Sequence, residues 1–165
     1  MMKSLHLGSL KYFRGFTLVE LLASVAILGT LATVAVPAVE LSVKRERERE
    51  LRVALRDIRL AIDNYKLAAV SGRIAVAPEQ SGYPPNLMEL VGGVTDLNHV
   101  PNKIYFIRRI PRDPFNTDMS VSAIDSWGLR SFQSPPDHPV AGSDVFDVYS
   151  TSVKTGLNGV PYAEW

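Results

Sequence analysis

Three hydrophobic rhythms follow one another along the first half of the chain. Leu21 to Val39 is a run of 19 residues without a charge. At about 1.5 Å of rise per residue, such a run is long enough to cross a bilayer core of about 30 Å as a helix. Lys44 to Glu50 (KRERERE) is then charged throughout and alternates in sign from Arg45, a pattern that no hydrocarbon core accepts. It predicts a solvated helix in which opposite charges meet at i, i+3 and like charges repel at i, i+4. Two readings stay open for it, pairing with complementary charges on a neighbouring chain and a plain solvated face. From Leu51 the residues Leu51, Leu55, Ile58, Ile62, Tyr65 and Ala69 recur at steps of four and three, while Arg52, Arg56, Arg59, Asp63 and Lys66 keep the same rhythm on another face. No proline lies between Pro37 and Pro78. The simplest prediction is one helix from about Phe16 to about Val70, about 80 Å long, whose second half is an amphipathic spine.

Beyond Ser71-Gly72 the pattern breaks into short pieces, and Pro78, Gly82, Pro84 and Pro85 deny any long helix. Asn86 to Val91 (NLMELV) predicts a short helix, capped by Asn86 with Glu89 three residues on and closed by Gly92-Gly93. Trp127 to Phe132 and Asp144 to Ser150 have the aromatic and β-branched content of strands, and the turn-rich SPPDHPVAG between them suits an antiparallel pair. A third strand is expected near Val160 to Trp165. The organisation expected is a basic leader at 1–15, a hydrophobic helix at 16–40, the amphipathic spine at 41–70 and a loop-rich globular domain at 71–165. The fold class is α+β, a long N-terminal helix packed on a small antiparallel sheet.

Composition removes most catalytic chemistry from this picture. There is no cysteine, and the three histidines, His6, His99 and His138, stand singly, so thiolate nucleophiles, Cys-ligated zinc and helical His metal pairs have no carrier. The motifs G-x-G-x-x-G, G-x-x-x-x-G-K-[ST] and G-x-S-x-G are absent as well. With 18 basic and 17 acidic residues the formal charge is +1, which gives no bulk drive toward nucleic acid. The basic-aromatic cluster Lys103, Tyr105, Phe106, Arg108 and Arg109 is therefore read as a packed edge with solvated charges. The expectation is a protein that is not an enzyme and binds no nucleic acid.

Charge placement at the N-terminus says more. Residues 1–15 carry Lys3, Lys11 and Arg14 and no acid, and cationic flanks stay cytoplasmic, which sends everything after Val39 to the other side of the membrane. An ordinary secretory signal fits poorly, because its apolar region spans about 7 to 15 residues and ends at a cleavage site rather than running into a charged helix. Glu20 is the unusual residue: a carboxylate at the edge of an apolar membrane run costs free energy and usually has a task.

Gly15-Phe16-Thr17-Leu18-Val19-Glu20-Leu21-Leu22 resembles the processing signature of type IV pilins and type II secretion pseudopilins. Ile110-Pro111-Arg112-Asp113-Pro114-Phe115, Trp127-Gly128 and Asp144-Val145-Phe146-Asp147-Val148-Tyr149-Ser150 resemble, more specifically, the major pseudopilins (general secretion pathway protein G-like). That group often carries a contiguous Asp-Pro-Trp-Gly block before a strand ending Asp-x-Tyr-Ser. Here Phe115 follows the Asp-Pro and Trp127-Gly128 comes a dozen residues later, so a divergent loop separates two parts usually kept together.

The resemblance implies a type IV pilin-like fold and a membrane subunit that a prepilin peptidase/N-methyltransferase cuts between Gly15 and Phe16 and methylates on the new amine. Glycine at 15 lets a peptidase approach the backbone closely. Loss of the leader leaves 15 basic against 17 acidic side chains. Glu20, about one turn below the freed amine, is expected to pair with the amine of an adjacent subunit and set register, where an opposite charge offsets desolvation. Thr17, Gly29 and Pro37 are the other expected assembly positions, the segment between Gly29 and Pro37 either losing helicity on packing or simply kinking.

The implied function is that of a structural subunit of a type II secretion pseudopilus, polymerising through its N-terminal helix to drive export of folded proteins. Its partners would be copies of itself, the peptidase, minor pseudopilins and the inner-membrane secretion platform. The location implied is the inner membrane, crossed once, with the C-terminal domain in the periplasm. A type IV pilin and a membrane-anchored periplasmic binding domain that never polymerises are the alternatives. Major pseudopilins commonly hold calcium in the loop after the last strand, through hard oxygen ligands. In this sequence the candidate oxygens are Asp147, Asn158 and Glu164, in a loop that also contains Lys154. The competing reading is that Asn158-Gly159 makes a turn while Tyr162 and Trp165 pin the tail.

Overall fold

The spine forms because its residues agree on one conformation. Leucine, alanine, arginine and glutamate dominate it, all good helix formers, and in the computed structural model, which describes residues 15–165, helix α1 runs from Leu18 to Val70. It passes through Pro37, which lacks the N–H that would bond the carbonyl one turn back. The helix stops in a glycine cap. Gly72 takes a φ of 71°, its N–H donates to the Ala69 carbonyl at 3.1 Å, and the Arg73 N–H donates to the Ala68 carbonyl at 2.9 Å. That pairing satisfies carbonyls the helix end would leave open.

The chain divides into two units, up to Ser42 and Val43–Trp165. In the first unit α1 is apolar all round: an 18-residue window has a mean hydropathy of 2.1 and none of it is buried. Its hydroxyls bond inward, Ser24 to the Glu20 carbonyl at 2.6 Å, Thr30 to Ile27 at 2.8 Å and Thr33 to Thr30 at 2.7 Å. Such bonding leaves few polar groups on the surface, as an apolar solvent requires.

In the second unit the predicted stripe becomes the core. Leu51, Ile58 and Ile62 are fully buried and Leu55 and Tyr65 nearly so, packed with Leu87, Leu90, Ile110, Trp127, Val148 and Tyr162. Burying a side chain of the Leu or Ile class contributes about 1.5 to 3 kcal/mol. Helix α2 is Leu87–Gly92, and Asn86 caps it by accepting the Glu89 N–H at 3.1 Å, as its sequence predicts. Strands β1 (Val94–Thr95) and β2 (Lys103–Ile104) pair antiparallel; at two residues each, they are too short to show an alternation. Strands β3 (Trp127–Arg130) and β4 (Asp147–Ser150) form the expected antiparallel pair, Trp127 opposite Ser150 and Arg130 opposite Asp147.

Two expectations need correction. Strand β4 begins at Asp147 rather than Asp144, because the Asp144 carboxylate accepts from the Ser131 hydroxyl at 2.7 Å, the Phe132 N–H at 2.9 Å and the Ser81 hydroxyl. That carboxylate ties the connection rather than extending the ladder. Residues 160–165 form no strand. Pro161 makes one bridge with Thr155, and Tyr162–Glu164 is a 3-10 turn.

Candidate processing and assembly site

The helix start is built from Thr17. Its hydroxyl accepts the Glu20 N–H at 3.2 Å and its carbonyl accepts the Leu21 N–H at 3.1 Å, so Thr17 is the N-cap and Glu20 the third helical residue. That is the Thr-x-x-Glu spacing of a capping box, and it puts the carboxylate where the helix dipole favours an anion. Gly15 and Phe16 lie just ahead of the helix and are exposed. A Cβ added to Gly15 meets nothing within 4 Å, and the same is true of Gly29. The described residues therefore make no steric demand for glycine at either position.

Thr17 and Glu20 are thus brought together by the cap, next to Gly15 and Phe16, while Gly29 and Pro37 lie further along α1 inside continuous helix. Glu20 is solvent-exposed. Around it Leu18, Val19, Leu21 and Leu22 are exposed too, so the first unit presents an uncovered apolar helix with a single carboxylate in its first turn. The basic leader, with Lys3, Lys11 and Arg14, lies outside the described residues.

The two halves of the Asp-Pro … Trp-Gly block, separated in sequence, meet in space. Asp113, fully buried, accepts the Ser150 hydroxyl at 2.6 Å, and its N–H donates to the Ser126 hydroxyl at 3.1 Å. Trp127 Nε1 donates to the Pro111 carbonyl at 2.8 Å. A buried carboxylate persists only with such partners. A Cβ on Gly128 would run into the Tyr149 ring across the ladder, which explains why glycine follows the tryptophan. The divergent loop 116–125 is an excursion from this joint, and Arg112 gathers it by donating to the Val121 carbonyl at 2.6 Å and to that of Asp118.

The charged run contains a residue that the sequence reading placed wrongly. Glu48 is 3% exposed, not solvated. One carboxylate oxygen accepts both the Leu157 N–H at 2.7 Å and the Tyr162 hydroxyl at 3.0 Å. Burial, and then the neighbouring Glu48 carboxylate, push the Tyr162 phenol up to about 12. The signal was present in the spacing: Glu48 lies three residues before Leu51 and seven before Leu55, on the same face as the core stripe. Of the expected i, i+3 pairs, Glu46–Arg49 forms, at 3.4 Å.

The oxygens nominated for calcium are otherwise engaged. Asp147 is held by Arg59 Nε at 2.7 Å on one oxygen and by an Arg130 guanidinium nitrogen at 3.3 Å on the other. Asn158 Oδ1 accepts the Val160 N–H at 3.1 Å. Asn158 and Glu164 border a groove of about 650 Å³ that they share with Arg52, Arg56, Arg59, Asp63 and Trp165. Three guanidiniums outnumber the two carboxylates, Asp63 and Glu164, so the groove stays net positive, and this donor set does not fit calcium. The tail is pinned as the competing reading expected: Gly159 takes a φ of 82°, the Gly159 N–H closes a turn on the Gly156 carbonyl at 3.1 Å, and Tyr162 is fully buried. The basic-aromatic cluster is divided, with Phe106 packed at 5.1 Å on Tyr65 and Tyr105 exposed.

Residues 10–36 match the family described as the prokaryotic N-terminal methylation motif. Over most of its length the chain is similar to proteins named type II secretion system core protein G. It is 33% identical to that of Klebsiella pneumoniae over 140 residues, 80% of this chain and 91% of the relative. It is 32% identical to that of Pectobacterium carotovorum subsp. carotovorum over 131 residues, 75% and 76% of the two chains. It is 28% identical to that of Klebsiella michiganensis over 137 residues, 79% and 88%. No solved structure gives a significant match.

Proposed function

The chain belongs to the family of type II secretion system core protein G, and from that premise we propose that it works as a non-enzymatic, membrane-anchored subunit that is processed at Gly15-Phe16 and polymerises through α1 into a periplasmic pseudopilus. The observation that carries this reading is the helix start. An apolar helix uncovered on all sides is capped by Thr17, directly after an exposed Gly-Phe bond, with Glu20 as the one carboxylate of its first turn. Such a helix has no place in water alone. It belongs first in a bilayer and then against copies of itself, because both remove its apolar surface from water.

Each residue then has a role. Gly15 leaves the scissile backbone open to the peptidase, since nothing of the described chain crowds it. Phe16 becomes the methylated N-terminus. Thr17 keeps the helix closed up to its first residue after that cut, and Glu20 receives the amine of a neighbouring subunit in an apolar surround, where an ion pair is worth most when both ends are matched. Gly29 and Pro37 give the helix room to rearrange on packing. Orientation follows from the basic leader, which holds the N-terminus on the cytoplasmic side and the globular unit on the other. Other partners are minor pseudopilins and the inner-membrane platform, and the work of moving folded proteins outward comes from assembly.

Intact mass and N-terminal sequencing of the protein extracted from membranes of its native cells test this reading. The expected species begins at N-methylated Phe16. A chain that still begins at Met1 would make it a tethered domain, and one that begins well past Val34 would make it an ordinary secreted protein; either result overturns the proposal.

A further inference from the structure

Side chains on one face of α1 grip the C-terminal segment, residues 151–165, at successive turns. Lys44 Nζ donates to the Thr155 carbonyl at 3.0 Å. Four residues on, Glu48 holds the Leu157 N–H and the Tyr162 hydroxyl. Four further, the Arg52 guanidinium lies 4.3 Å over the Trp165 ring, a cation–π arrangement. Seven further, Arg59 closes the set: Nε donates to Asp147 Oδ1 at 2.7 Å, and one terminal nitrogen donates to the Val148 carbonyl at 3.1 Å and the Trp165 carbonyl at 2.9 Å. Steps of four, four and seven keep these residues on a single helix face.

The acceptors around Arg59 are one carboxylate oxygen and two backbone carbonyls, drawn from strand β4 and from the chain's last described residue. Carboxylate and carbonyl oxygens are also the donor types that calcium recruits. Here a guanidinium occupies their focus, and its planar fork of donors satisfies three oxygens without a metal. The second Asp147 oxygen faces an Arg130 nitrogen at 3.3 Å, so both oxygens of the carboxylate already have a cationic partner.

We propose that Arg59 is the built-in cation of the C-terminal segment, fastening it to the spine so that the stability of the globular unit is independent of calcium. The polar clamp replaces a metal clip with bonds made by the chain itself, and Glu48 and Arg59 are its two anchors. The proposal does not rest on the secretion reading, and a chain found unprocessed in its cells leaves it untouched.

Thermal unfolding of the full chain in detergent micelles, followed by the fluorescence of Trp127 and Trp165, tests it in millimolar calcium chloride against excess EGTA. The expected midpoints agree within about 1 °C, whereas calcium saturating a native-state site would raise the midpoint by about 4 °C or more; a rise of that size overturns the proposal. Arg59→Met is expected to lower the midpoint by the same several degrees in both buffers, and Arg59→Lys, which keeps the charge but loses the fork, by less. If Arg59→Met melts like the parent in EGTA, Arg59 is not the fastener. If Arg59→Met does not fold, the parent comparison and Arg59→Lys still decide.

Discussion

Helix α1 contains two stretches rich in large apolar residues with opposite fates. Between Leu18 and Ser42 the large apolar side chains are in the open, Leu18 75% exposed and Leu28 64%. Between Leu51 and Tyr65 the stripe positions are 7% exposed or less. Helix propensity does not separate them, since both stretches are regular helix. Patterning does. In the second stretch apolar residues keep to one face and the rest of the second unit covers that face; in the first they surround the axis, and no single packing face can bury them. The second unit is complete within one chain. The first is completed only by what lies outside it, a bilayer or other copies, and the proposed processing and assembly chemistry sits in this incomplete part.

The sharpest way to break that comparison is at Glu20. Glu20→Ala is expected to abolish filament assembly while leaving the melting of the globular unit unchanged, because the carboxylate belongs to the other unit and is exposed. Pelleting of assembled filaments and a thermal melt of the same preparation check both halves. Full assembly by the variant would mean that register is set by apolar packing alone. Next in size, Ile58→Ala is expected to lower stability by about 2 to 5 kcal/mol, the usual cost of a large-to-small change in a packed core. Leu28→Ala is expected to leave the unfolding of the globular unit as it is. Urea titrations of the two variants in the same detergent compare them directly, and equal losses would dissolve the distinction between the two stretches.

What could be read from the sequence follows the same division. The long helix, its amphipathic stripe, the Asn86-capped α2 and the β3–β4 pair were legible because each depends on a periodicity or a cap within a few residues. The tail was only half legible. Tyr162 and Trp165 announce themselves as anchors by size, but their partners Glu48, Arg52 and Arg59 are about a hundred residues away, and no local pattern reports such pairing. Glu48 was misplaced because its neighbours alternate in sign and local charge outweighed its position in the register of the stripe. The junction of Asp113, Ser126 and Ser150 was invisible for the same reason: a divergent loop separates Asp113 from Ser126, and only the folded chain closes it. Thr17 shows the reverse case, a residue singled out for assembly whose hydroxyl caps its own helix.

The smallest expected effect sharpens the contrast from the complete side. Tyr162 is fully buried with its hydroxyl on Glu48, and its phenol is pushed from an ordinary 10 up to about 12. Between these values the folded chain keeps a proton that the unfolded chain has lost, so stability falls as pH rises through this window and the contribution is fully present below pH 10. Tyr162→Phe removes the donor and leaves the buried Glu48 carboxylate with the Leu157 N–H and a more distant Arg52 guanidinium at 3.7 Å. At neutral pH the variant is expected to lose about 1.5 to 3 kcal/mol, the range for a hydrogen bond to a charged group. From pH 10 to 12 the gap between parent and variant should close, because only the parent has a phenol to titrate. Urea unfolding of both proteins at pH 8, 10 and 12 measures the gap, and one that stays constant across that range would mean that the Tyr162 hydroxyl does not hold the tail to the spine.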